Sequence, residues 1–254
     1  MLVFYRAIPY AIAFVVTLGY AWMIWQPAWF WIGAFVAWIL CFYLCARLVS
    51  FDWQEKTYRF FLLTPVLFFT SSLCAFLFLE SFWSQAALGV VTVLCLFFFT
   101  EQVFYYLHLP VRYQAYTIEH LSLVLHIFAL YFCASIGFGL QLFLQIPLWL
   151  IAPAILFLIV YMLAATFWVS KIEHTLVRST VITGSVLMTE LFIALSLLPS
   201  GFYVNAALFT VCFYLFLGLT RAHFFENLSQ AFLRRYLLMA CGLLVMIVGT
   251  AQWV

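Results

Sequence analysis

Apolar residues in this chain run in long stretches, each about as long as an α-helix must be to cross a lipid bilayer, and polar residues are confined to the gaps. A span needs roughly 20 mostly apolar residues, with about 17 to 25 acceptable. On that measure nine spans are predicted, at 7–25, 28–46, 60–79, 85–106, 121–144, 147–169, 179–198, 203–219 and 236–253. The gaps alternate in kind. Short uncharged turns such as Gln26-Pro27, Gln145-Ile146-Pro147 and Pro199-Ser200-Gly201 take turns with longer polar loops that hold the arginines and lysines. Tight turns join antiparallel neighbours, so the predicted fold class is all-α: a polytopic, up-and-down helical bundle integral to a membrane. Residues 1–254 are expected to form a single transmembrane domain with no separate soluble domain.

Composition points the same way. The chain is 69% hydrophobic, 22% aromatic and 7% charged, where a soluble domain carries about 25% charged residues. A net charge of +2 with no basic block excludes a nucleic-acid partner and leaves the lipid bilayer as the expected one. Seven cysteines fall within apolar runs, where they act as small hydrophobes; no Cys/His spacing suggests a metal, and no cofactor motif is present. Arg6 precedes a long apolar run without a convincing small-residue cleavage site, so the first span is expected to be retained.

Charge sets the expected orientation. With nine spans, all ten basic residues (Arg6, Arg47, Lys56, Arg59, Arg112, Lys171, Arg178, Arg221, Arg234 and Arg235) fall on one side, which the positive-inside rule makes the cytoplasm. The N-terminus is then inside and the C-terminus outside, in what is expected to be a bacterial cytoplasmic membrane. Trp25, Trp29, Trp31, Trp83, Trp149 and Trp253 gather near the predicted outer interface, with Trp53 and Trp168 near the inner one.

Within the spans, a carboxylate or imidazole needs a reason, because lipid solvates it poorly. Glu190 lies eleven residues beyond the inner end of its span, near the bilayer midplane at about 1.5 Å per residue. Its helix face reads Ser179, Thr183, Val186, Glu190 and Ala194, a small, partly polar stripe expected to pack against another helix and to offer Glu190 and Thr183 as an ion- or substrate-binding pair. His126 heads a second small stripe, Ser122, His126, Ala129, Cys133 and Gly137, and Glu101 lies at similar depth on the preceding span, within reach across the hairpin. Glu101 sits among aromatics and can also snorkel to water. In the loops, Glu119 and His120 are cytoplasmic-side candidates; Ile118-Glu119-His120 recurs as Ile172-Glu173-His174, too short a match to establish duplication. Pro65 and Pro153 fall inside spans and predict kinks, and Thr64, Ser71 and Cys74 share a face of the third span that could line a groove.

No nucleophile elbow, phosphate loop or acidic metal cluster appears, and no catalytic residue is assigned. Three functions fit: a small transporter or permease for an ion or small molecule, using Glu190; an enzyme acting on a lipid or isoprenoid from the cytoplasmic side through Glu101, Glu119, His120 and His126; or a non-catalytic assembly subunit with membrane-protein partners or further copies of itself. The first is the sequence's leading reading.

Overall fold

The computed structural model describes residues 2–49, 56–114, 116–172, 177–225 and 229–250. Among them are nine helices long and apolar enough to cross a membrane, and the chain is an integral membrane protein. They are α1 (Leu2–Trp25), α2 (Phe30–Val49), α3 (Lys56–Phe76), α4 (Phe82–His108), α5 (Thr117–Leu144), α6 (Leu148–Val169), α7 (Val177–Leu195), α8 (Phe202–Phe224) and α9 (Gln230–Thr250). Pro65 and Pro153 lie inside continuous helices. Trp25, Trp29, Trp31, Trp83 and Trp149 are all exposed, at the end of α1 and in the first residues before or within α2, α4 and α6. Trp53, Trp253, Glu173, His174 and Glu226 lie outside the described residues.

The chain divides into two compact units, residues 1–129 and 130–254, with the division inside α5. In the first, α1 packs on α2 and α4, and α3 packs on both of these. Ile8, Ile12, Val16, Tyr20 and Met23 form one buried stripe on α1, spaced by four or three residues as a helix face requires. Lipid supplies no hydrophobic drive between helices, so close contact must come from small residues. At Gly19 a neighbouring backbone-fixed atom limits the approach: a Cβ there would stand 2.7 Å from the Ala37 Cβ. Ala34, Ala37, Cys41 and Cys45 keep that face of α2 thin.

In the second unit α6 packs on α7, α7 on α8 and α8 on α9. Phe138 stacks on Phe192 at 4.3 Å between centroids, and Phe192 meets Phe209 edge-on at 5.5 Å. Gly137 admits this stack, since a Cβ there would come within 3.0 Å of the Phe192 ring. The α9 helix is largely exposed and is tied to α8 by the Tyr236 hydroxyl, which donates to the Tyr214 carbonyl at 3.1 Å.

Candidate functional site

The first unit carries a line of polar groups through an otherwise apolar interior. It starts at the N-terminus of α5, where Glu119 lies in the first turn and favours the positive end of the helix dipole. Glu119, Ser122 and His126 are spaced by three and four residues and so share one face of α5. Going inward, Glu119 is half-buried, Ser122 is buried and His126 is 0% exposed. The start of this helix is held by Tyr113, whose hydroxyl accepts the Ile118 backbone N–H at 3.4 Å. Burial pushes that phenol above its ordinary range, with the Ile118 N–H opposing and the Glu119 charge adding to the rise.

His126 Nε2 lies 3.3 Å from the hydroxyl of Thr64 on α3, itself buried. One turn from the imidazole, the Ser122 hydroxyl is buried and has no hydrogen-bond partner among the described residues. A buried hydroxyl left unpaired costs about 1 to 3 kcal/mol and calls for an explanation. From Thr64 the same helix continues through Ser71 and Ser72, both buried, about 12 Å further along its axis at 1.5 Å per residue. Ser71 is satisfied by its own helix, donating to the Phe68 carbonyl at 2.8 Å. Ser72 instead joins three helices: it is bonded to the Tyr20 hydroxyl of α1 and, at 2.8 Å, to the Thr92 hydroxyl of α4, which donates at 2.8 Å to the Leu88 carbonyl. Of the expected groove residues on α3, Thr64 and Ser71 are thus interior, whereas Cys74 is exposed. It lines an apolar groove of about 470 Å³ between α2 and α3, across which Trp38 Nε1 donates to Thr70 at 2.8 Å.

The other sequence candidates lie elsewhere. Glu101 does not meet His126: it accepts a long bond, 3.4 Å, from Tyr105 one turn along α4, while the imidazole faces Thr64. His120 is exposed, turned away from the face that carries Glu119 and His126. His108 is stacked between Tyr5 and Phe104, with centroids at 4.5 and 5.3 Å. In the second unit the stripe Ser179, Thr183, Val186, Glu190 and Ala194 does not pack inward; all five are exposed. The face that α7 buries is Val181, Gly184, Ser185, Met188 and Phe192. Gly184 and Ser185 make that face as thin as the other, and the ring of Phe216 fills the space over Gly184.

Sequence reading missed the Tyr20, Ser72 and Thr92 junction, although a mid-span Ser71-Ser72 pair was the available signal. It also passed over Gln141, Ser196, Ser200 and Asn205, which line a polar cavity of about 190 Å³ at the adjoining ends of α5, α7 and α8 in the second unit. Part of that polarity serves the local turn, since Ser200 donates to the Asn205 side chain at 2.5 Å. Among the described residues no three His, Cys, Asp or Glu side chains come close enough to hold a metal ion. The chain matches no known protein family, no curated protein and no solved structure.

Proposed function

We propose that this integral membrane protein is a small transporter or permease, and that its titratable group is His126 rather than Glu190. The observation that carries the reading is the unpartnered, buried Ser122 hydroxyl one turn from a fully buried imidazole. Apolar side chains at these positions would pack in lipid at less cost, so polar groups kept at such depth favour a pathway. In this reading Glu119 collects a proton or cation at the cytoplasmic end, a water or solute bonded to Ser122 bridges to His126, and the Thr64 hydroxyl holds the imidazole in place. The imidazole suits the step because one ring nitrogen can accept a proton while the other gives one up. The lipid-enzyme reading loses support, because Glu101 and His120 do not converge on His126.

Reconstituted into liposomes with an internal pH dye and a potassium-diffusion potential, the wild type is expected to carry a proton flux above that of empty vesicles. His126→Phe should lower it at least about tenfold, on the scale of losing one proton-transfer group, while the variant still elutes as the folded protein. Glu190→Gln should leave the flux within about twofold, the change expected when a group makes no direct part of a proton path. Equal flux in wild type and His126→Phe would reject the role. A second reading, an assembly subunit without flux of its own, is favoured by the exposed polar stripe on α7 and predicts that wild-type vesicles behave as empty ones.

A further inference from the structure

The polar cavity of about 190 Å³ in the second unit is lined by groups from segments far apart in the chain: Gln141 near the end of α5, and Ser196, Ser200 and Asn205 around the turn from α7 into α8. Their hydrogen-bonding capacity is only part used. The half-buried Gln141 carboxamide makes no hydrogen bond with any described residue. Asn205 is 4% exposed; its Oδ1 accepts from Ser200 and one Nδ2 hydrogen reaches the Ser200 carbonyl at 3.5 Å, which leaves the second N–H unspent. Ser196 donates to the Ile193 carbonyl at 2.6 Å, and its oxygen still offers lone pairs. Carboxamides held in an apolar bundle with donors and acceptors unspent call for a partner. No Asp, Glu, Lys, Arg or His lines the cavity, so nothing in the lining would offset a charge on that partner.

We infer that this cavity binds a small uncharged polyol, one sugar ring or a shorter run of adjacent hydroxyls, carried by a free solute or by a lipid headgroup. A carboxamide sets a donor and an acceptor side by side, and two neighbouring hydroxyls, each able to give and take a hydrogen bond, match that pair. Phe138 and Phe202 supply apolar walls for the carbon face of such a molecule. The volume of about 190 Å³ equals about six waters at about 30 Å³ each, room for a single ring. The inference is independent of the transport reading, which rests on the first unit.

The test uses the full-length protein in phosphatidylcholine nanodiscs, with the exposed Cys74 and Cys241 replaced by alanine. Leu142→Cys, at the exposed edge of the cavity, and Val111→Cys, exposed in the turn between α4 and α5, are labelled with a water-soluble thiosulfonate. Galactose, titrated to saturation, should slow labelling at 142 at least about tenfold, as mass action gives at about ten times the dissociation constant, and leave 111 within about twofold. Protection by monogalactosyl diglyceride in the nanodisc, with free galactose inactive, would support the inference and assign the polyol to a lipid headgroup; protection by free galactose assigns it to a solute. Gln141→Leu, which costs the fold no hydrogen bond, should raise the concentration needed of whichever probe protects at least about tenfold, while the variant still elutes as the folded protein. Labelling at 142 unchanged by both probes, equal slowing by betaine at the same osmolality, or full protection retained in Gln141→Leu would overturn the inference.

Discussion

Replacing Gly19 with leucine should lower the unfolding free energy of the protein in mixed detergent micelles by about 3 kcal/mol, the upper part of the range for overpacking. The reason is where the clash falls. At 2.7 Å the obstruction is the Cβ of Ala37, fixed to the backbone of α2, and no rotamer change can clear it. Gly33 and Gly184 are also crowded, but by the rings of Trp22 and Phe216, which can swing aside. Gly19→Ala alone should cost about 1 to 2 kcal/mol, and adding Ala37→Gly should return most of it, because the pair exchanges one methyl across the same contact. A double variant no more stable than Gly19→Ala would mean that α1 and α2 do not meet at this point.

Ser72→Ala should cost about 1 to 2 kcal/mol in the same assay, more than the average hydrogen bond between membrane helices. The hydroxyl of Ser72 is shared by Tyr20 and Thr92, and its loss strands them unequally. Thr92 keeps its bond to the Leu88 carbonyl, while the Tyr20 hydroxyl, 3% exposed as a residue, loses its Ser72 partner beside Gly89, Phe69 and Phe76. Removing the stranded group as well, in Tyr20→Phe with Ser72→Ala, should recover most of the loss, since deleting both partners of a buried bond is far cheaper than deleting one. Additive losses in the double variant would refute the shared junction.

The spans were legible because lipid enforces length: all backbone groups must pair within the helix, and about 20 apolar residues must cover the hydrocarbon. Ends were read less well where polar residues continue a helix. The eighth span is expected to stop at Leu219, yet α8 runs on through Arg221 and His223 to Phe224, because cations suit the negative end of the helix dipole. Which face turns inward was legible on α5, where Ser122, His126, Ala129 and Gly137 are buried on a single small stripe. On α7 it was not, since Gly184-Ser185 and Thr183-Val186 offer two thin faces and a protein interior selects by shape as well as polarity. The hydroxyl junction lay beyond sequence reading for a different reason. Tyr20, Ser72 and Thr92 are 52 and 20 residues apart in the chain, and only the packing of α1, α3 and α4 unites them.

The claim on which the functional account stands is that the face of α5 from Glu119 to His126 is wet despite its burial. Its most direct test is the reaction of Ser122→Cys, in membranes, with a small water-soluble thiosulfonate, compared in the same protein with native Cys45, which is 1% exposed among apolar neighbours. The account predicts that the thiol at 122 is modified at least about tenfold faster than Cys45, as a thiol able to ionise in water should be. Equal, negligible labelling at both positions would show a dry and closed interior, contradicting the pathway.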